Sequence, residues 1–240
     1  MVDSVKLFMW EGGALYIGPL LDNSEHRHHA VQVCLGLDGP FRLFRSGEWS
    51  DERFAALAAN ESHCLDSKGH TVAIALLDGE SASGCLSTQD LKAPDLADLQ
   101  IPSNCEEARC FAEALIAPTQ IHSHQRDIRI ARALAHISTL ETKRVTAAEL
   151  ADVACLSESR FMHLWREEVG LPLRRFLLWR RVMDTILAII QGSDLTEAAH
   201  LGGFSDSAHF SRTFRETFGL SPSKLLRNSR FVQVSIEHIT

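Results

Sequence analysis

A repeat inside the last hundred residues limits what this chain can fold into more than any other feature. From Asp194 to Leu226 the sequence reads as two short helices and a tight turn. Asp194 can cap the first helix, and Glu197 can reach back to it as in a capping box. Ala198 and Leu201 are expected to face inward. Gly202 and Gly203 supply the turn, because glycine tolerates positive φ. Phe204 follows as a buried plug, Ser205 can cap the second helix, and Phe210, Phe214 and Phe218 recur every four residues along it. Gly219 sits where helices commonly stop. Ser221-Pro222 then reads as an N-cap followed by proline at the first helical position.

One such hairpin fits any helical core. This one occurs twice. A single offset along the chain lays Thr146, Glu149, Ala151, Val153 and Leu156 on Asp194, Glu197, Ala199, Leu201 and Phe204. Past the turn the offset grows by one and lays Phe161, Trp165, Val169, Gly170 and Leu171 on Phe210, Phe214, Phe218, Gly219 and Leu220. The change of one falls in the turn, where a duplicated hairpin can absorb an insertion. Between the two units Phe176, Trp179, Met183, Ile186, Leu187 and Ile190 make one apolar helical face over about 173–191. Such a helix is about 28 Å long at 1.5 Å per residue. Major-groove faces on one side of a duplex recur about every 34 Å, so a rigid connector of that length suits two reading helices on one face of DNA.

Residues 126–227 resemble the DNA-binding domain of the AraC/XylS family of bacterial transcription regulators. The residues that carry the resemblance are Arg181, Glu197-Ala198-Ala199, Gly203-Phe204, the run His209-Phe210-Ser211-Arg212-x-Phe214-Arg215, and Phe218-Gly219-Leu220-Ser221-Pro222. The resemblance implies an all-α domain with two helix-turn-helix motifs joined by a linker helix, double-stranded promoter DNA as partner, RNA polymerase as a second partner, and activation as the usual output. It also implies that the outward arcs of the two second helices touch bases or phosphates. On the first these are Ser159, Met162, His163 and Arg166; on the second they are Ser207, Ala208, Ser211, Arg212 and Arg215. Arg212 can fork onto guanine O6 and N7, Ser211 can bond either base type, and Ala208 or Met162 can meet a thymine methyl. Each exposed arginine is equally compatible with a phosphate contact or a solvated face. Backbone N–H groups at Ser157 and Ser205 are placed to hold phosphates.

A net charge of −7 looks wrong for a DNA-binding chain until it is divided. Residues 1–125 hold 8 Lys/Arg against 18 Asp/Glu, a net of −10, and residues 126–240 hold 16 against 13, a net of +3. An acidic front and a basic back point to separate jobs. No run of 18 apolar residues is present, which argues against a membrane-spanning helix. The opening MVDSVKLFMWEGG lacks the pattern of a signal peptide. Six cysteines at 34, 64, 85, 105, 110 and 155 form no C-x-x-C pair. They read as reduced thiols of a cytoplasmic protein, with redox sensing by Cys105 and Cys110 as the alternative.

The front half is dense in short strands and turns. Residues 5–18 and 29–77 read mostly as strands, with Val31, Val33 and Leu35 alternating, a turn at Asp38-Gly39-Pro40, a partner strand at Phe41–Phe44, and further strands at Phe54–Ala58 and Thr71–Leu77. A short helix is expected at Ser83–Leu91, a connector at Pro94–Pro102, an amphipathic helix at 104–117 and a polar linker at Thr119–Gln125. The helix carries Ala108, Phe111, Ala112 and Leu115 on one face. A homodimer contact and a helix packed on its own barrel are its two readings.

His26, His28, Gln32, Gly39 and His63 keep the spacing of the cupin pattern, with Gln32 where cupins carry Glu. That resemblance implies a small β-barrel with His26 and His28 aimed inside and His63 beside them. His29 is expected to point away by strand alternation. Three imidazoles suit Zn, Ni, Cu or Fe, although a neutral amide is a poorer ligand than a carboxylate. A metal site, a metal-free pocket for a small-molecule effector lined by His26, His28, Gln32 and His63, and a cluster that binds nothing remain open.

The sequence therefore predicts an α+β chain. Residues 1–93 form a cupin-like β-barrel that senses an effector, 94–125 a helical linker and dimerisation segment, and 126–240 an AraC-type DNA-binding domain. The expected function is that of a cytoplasmic DNA-binding transcription regulator, not an enzyme. The alternative is a metal-dependent cupin enzyme with a DNA-binding tail, which Gln32 in the Glu position argues against.

Overall fold

The computed structural model describes residues 5–10, 12–20, 23–77, 91, 93–95, 99–116, 126–140 and 145–234. The expected helix at 83–91, apart from Leu91, and the linker at 119–125 lie outside them. The chain divides into two compact units, residues 1–122 together with 214–240, and residues 123–213.

The first unit is built on strands. They are β1 (Val5–Trp10), β2 (Gly13–Pro19), β3 (Val31–Gly36), β4 (Phe41–Arg45), β5 (Glu48–Glu52), β6 (Phe54–Leu57), β7 (Cys64–Asp66) and β8 (Thr71–Leu77). A final strand, β9 (Ser229–Val234), follows the helices. A six-stranded sheet runs β6-β3-β8-β2-β1-β9 and a three-stranded sheet runs β5-β4-β7. Among the described residues the strands make these two open sheets, not the closed barrel expected. The outer strands of the large sheet, β6 and β9, do not pair with each other.

Strand alternation sorts two cores. Val33, Leu35, Ala73, Ala75, Phe8, Leu15 and Ile17 form one core with Cys105, Ala108, Phe111, Ala112 and Leu115 of α1 (Cys105–Ile116). Cys34, Val72 and Ile74 join Phe41, Leu43, Ala55, Leu57 and Leu65 in the other. Every residue of β3 is buried because it is covered on both faces.

The amphipathic face of α1 is thus spent inside its own unit. Phe111 is 4% exposed and Leu115 fully buried, which favours the second of the two readings, a helix packed on its own unit. The turn after β3 holds as expected. The Asp38 carboxylate accepts from Thr71 N and Thr71 Oγ1, both at 2.8 Å, and a Cβ on Gly39 would lie 2.4 Å from the His70 ring.

β9 corrects a second expectation, that residues 126–240 are all helical. It pairs parallel with β1, Lys6 facing Phe231 and Phe8 facing Gln233. The last strand of the chain therefore completes the sheet that the first strand begins.

The second unit is helical: α2 (Ile128–Thr139), α3 (Ala147–Val153), α4 (Glu158–Val169), α5 (Leu173–Ile190), α6 (Leu195–Leu201) and the first half of α7 (Ser207–Phe218). α8 (Pro222–Asn228) begins at the expected Ser221 cap, whose hydroxyl accepts from Lys224 N at 3.4 Å. α5 has 18 residues and buries Leu173, Phe176, Trp179, Val182, Thr185 and Ile186. Its first turn joins Phe161, Leu164 and Trp165 of α4 in one core, and the Trp165 indole N–H donates to Leu171 O at 3.0 Å.

Candidate functional site

The two hairpins repeat bond for bond. In the first turn Ala154 N, Cys155 N and Leu156 N donate to Leu150 O, Asp152 O and Ala151 O. In the second, Gly202 N, Gly203 N and Phe204 N donate to Ala198 O, His200 O and Ala199 O, each the counterpart position in the repeat. Cys155 holds φ of +54° and Gly203 holds +77°, so both turns need the same left-handed residue. Gly202 has φ of −73° and is glycine for another reason. A Cβ there would lie 1.8 Å from Thr185 Oγ1 of α5.

Three local expectations change. Thr146 and Glu149 form the full reciprocal capping box, whereas Asp194 accepts from both Thr196 N and Glu197 N by itself. Leu201 is 56% exposed, and Ala199 takes the inward place beside Ala198. The cap of α7 is Asp206, not Ser205. Its carboxylate accepts from His209 N at 2.7 Å, and that bond holds it below the usual carboxylate range. Asp206 is the repeat's counterpart of Ser157, which caps α4 by accepting from Arg160 N. Both helix starts carry a carboxylate, Glu158 in the first turn of α4 and Asp206 at the cap of α7, and each disfavours a phosphate there.

Sequence alone gives Arg181 no structural role. The guanidinium donates from Nε to Gly202 O at 3.1 Å and from Nη2 to Gly203 O, and it lies 4.5 Å from the centre of the Phe204 ring. It ties α5 to the second turn and satisfies carbonyls that the turn leaves open. A lone arginine on a connector helix carries no signal of this, because its partners are backbone atoms of the hairpin that follows.

Ser159, Met162, His163 and Arg166 on α4 are exposed, opposite the buried Phe161, Leu164 and Trp165. On α7 Ala208, Arg212 and Arg215 are exposed, Ser207 and Ser211 are half-buried, and Phe210 and Phe214 are buried. His163 Nε2 lies 3.2 Å from the Glu167 carboxylate.

In the first unit the histidines come together. His26 and His63 exchange backbone N–H···O bonds of 2.9 Å in a single antiparallel bridge. Their ring centroids are 4.4 Å apart, and His28 lies 5.2 Å from His63 and 5.8 Å from His26. One ring nitrogen from each of the three falls within 4.8 Å of the others. His26 and His28 sit in an irregular segment before β3, so the bridge to His63, not strand alternation, brings them together. His29 is outside the trio, as expected, yet it too is buried.

Each ring of the trio has its Nδ1 against a backbone carbonyl: His26 with Ser24 O at 2.8 Å, His28 with Ala30 O at 3.0 Å, His63 with Glu61 O at 2.9 Å. A carbonyl only accepts, so Nδ1 carries the proton and Nε2 the lone pair. Burial is the first cause that keeps the rings neutral, lowering His26 to about 4 and His28 to about 3, and lowering His63 as well. Gln32 lies beside them, its Oε1 2.8 Å from His28 Nε2 and its Nε2 3.1 Å from Cys34 Sγ. Cys34 is buried and its thiol is pushed up to about 12.

The model of a helix-turn-helix domain matches residues 150–228. A probable transcriptional regulator, LumQ, of Photobacterium leiognathi is 33% identical over 84 residues, 34% of this chain and 34% of that protein. The arabinose operon regulatory protein of Escherichia coli is 33% identical over 103 residues, 41% of this chain and 34% of that protein. Residues 150–228 of this chain are a helix-turn-helix domain, similar in sequence to part of these regulators.

The matches span about a third of the length of those curated relatives. The whole fold is similar to that of ToxT from Vibrio cholerae, with a TM-score of 0.61 at 12% identity, over 92% of this chain and 99% of that one. Both units of this chain thus have counterparts of the same fold in one solved protein. No helix among the described residues is long and apolar enough to cross a membrane.

Proposed function

We propose that this chain is a sequence-specific DNA-binding transcription regulator whose N-terminal unit senses a small ligand. The observation that carries the reading is the bond-for-bond duplication of the hairpin, with an exposed mixed arc of polar, cationic and apolar side chains on each second helix. Such arcs suit the donor and acceptor pattern of the major groove. Double-stranded promoter DNA is the partner. Action on RNA polymerase as an activator, a homodimer and a cytoplasmic setting follow from the same reading.

The cupin-like character of the front unit rests on the spacing of His26, His28, Gln32, Gly39 and His63. One relative in fold, ToxT, has been solved with an unsaturated fatty acid bound, which supports ligand sensing by a chain of this fold. The enzyme alternative is weakened because Gln32, beside His28 and Cys34, supplies no carboxylate base.

The test is selection by the full chain from a pool of random duplexes. One enriched motif is expected, with an affinity that falls steeply with salt. Equal retention of all duplexes contradicts the reading. The full chain is required because β9 pairs with β1, and a fragment starting at residue 126 would leave that strand unpaired.

A further inference from the structure

We infer that His26, His28 and His63 are a site for one borderline divalent transition metal, of the Zn, Ni, Cu or Fe class, and that this metal is the ligand the N-terminal unit senses. The inference rests on the sensing role proposed above and names its ligand.

Four observations converge. The three imidazoles are nine-tenths or more buried and crowd within 4.4 to 5.8 Å of one another. All three Nδ1 atoms are spent on backbone carbonyls of Ser24, Ala30 and Glu61. That is the outer arrangement that fixes the tautomer of metal-bound histidine and raises its basicity. His63 Nε2 is buried with no hydrogen-bond partner among the described residues. A bare lone pair in that position costs free energy unless a donor or a Lewis acid faces it.

The fourth observation is at Gln32. With Nδ1–H given to Ala30 O, the His28 Nε2 lone pair faces the Gln32 Oε1 lone pairs at 2.8 Å. Two acceptors at that distance require a cation between them or an end-for-end turn of the amide. The amide turn would settle His28 and Gln32 but leave His63 Nε2 as it is. A metal settles both. Two donors about 2.1 Å from one tetrahedral ion lie about 3.4 Å apart, so Gln32 Oε1, 2.8 Å from His28 Nε2, becomes a weak fourth donor once the pair opens by about half an ångström.

The ion's occupancy can be felt at the end of α7. Ser24, whose carbonyl holds His26, also donates from its backbone N–H to Gly219 O at 2.9 Å. A Cβ on Gly219 would lie 2.4 Å from Ser24 O and 2.7 Å from His26 Nδ1. The Phe218 ring lies 6.3 Å from that of His28. Gly219 ends α7, so drawing His26 onto a metal pulls on the backbone that terminates the second reading helix.

The test uses the full chain, stripped with a chelator and titrated with Zn(II) alone, then with Ni(II). One equivalent should bind, and His26→Ala, His28→Ala and His63→Ala should each weaken it at least tenfold. His29→Ala should stay within threefold. Gln32→Glu should tighten binding at least tenfold, whereas a purely structural Gln32 would give only a less stable protein. X-ray absorption on the loaded wild type should show three imidazole nitrogens at about 2.0–2.1 Å, a readout that needs no variant to fold. Saturating metal should change affinity for the selected DNA at least fivefold. No saturable binding, binding indifferent to the three histidines, or a spectrum without imidazole ligands overturns the site. Metal binding without any change in DNA affinity overturns its sensing role. A chain that selects DNA but ignores metal contradicts this inference and leaves the regulator reading intact; a chain that binds metal but selects no DNA does the reverse.

Discussion

The two units treat their polar side chains in opposite ways. The first buries His26, His28, His29, Gln32 and His63, with no residue of the five more than 8% exposed. The second buries almost only apolar groups and leaves Ser159, His163, Arg166, His200 and Arg212 exposed. Burying a polar side chain costs free energy unless it is satisfied, whereas an exposed one costs nothing until a partner arrives. A buried cluster therefore suits a small ligand taken out of water. An exposed arc suits a large partner that brings its own surface. The contrast supports the proposed division, with sensing in one unit and reading in the other.

The largest way to break that contrast is acid. In metal-free protein the folded chain holds His26 near 4, His28 near 3 and His29 near 4, chiefly because burial disfavours their charged forms. The unfolded chain takes those protons near about 6.5. A folded pKa below the unfolded one leaves stability undiminished above about pH 6.5 and removes it as pH falls toward 4. Each group costs up to about 1.4 kcal/mol per pH unit in that window. Tertiary circular dichroism of the first unit should be lost between pH 6 and 4. A flat response would mean that the imidazoles titrate as exposed ones.

Next comes the frame of the helical unit. Gly202→Ala drives a Cβ into Thr185 Oγ1 and toward Arg181 O, and should cost about 3 kcal/mol in denaturant unfolding. The matching Ala154 of the first hairpin already carries a Cβ, so the two turns differ in how closely a neighbour approaches them. A cost below about 0.5 kcal/mol, the range of an ordinary surface change, would show that α5 can move away freely.

Arg212→Ala leaves the frame untouched and should weaken binding to the selected motif by about 1–3 kcal/mol, with preference lost at one base pair. The smallest effect is expected at Cys155, a non-glycine residue at φ of +54°. Cys155→Gly should stabilise the chain by about 1 kcal/mol, making the first turn like the second. Loss of stability there would mean that the thiol does more than the backbone strain suggests.

Much of the helical unit is legible in the sequence because its signals are local. Caps, left-handed turn residues and the four-residue aromatic stripe each act within a few residues, and duplication supplies each signal twice. Even so, Asp206 takes the cap expected of Ser205, since two adjacent capping residues compete for one helix start. The strands at Val31–Gly36, Phe41–Arg45, Phe54–Leu57 and Thr71–Leu77 are legible from alternation. β9 is not among the expected elements, although Phe231-Val-Gln-Val234 carries a strand composition; its pairing partner β1 lies at the opposite end of the chain. Spacing flags His26, His28 and His63. What sequence does not supply is the backbone bridge from His26 to His63, or the carbonyls of Ser24, Ala30 and Glu61 that set the tautomers.

The most direct test of the division between reading and sensing is DNA selection by the full-length wild type and Arg212→Ala side by side, at two salt concentrations. The wild type should enrich one motif, and the variant should enrich the same motif with a single relaxed base pair. Enrichment of no motif by the wild type, or a uniform loss across all sequences in the variant, would contradict the assignment of the α7 arc to base reading.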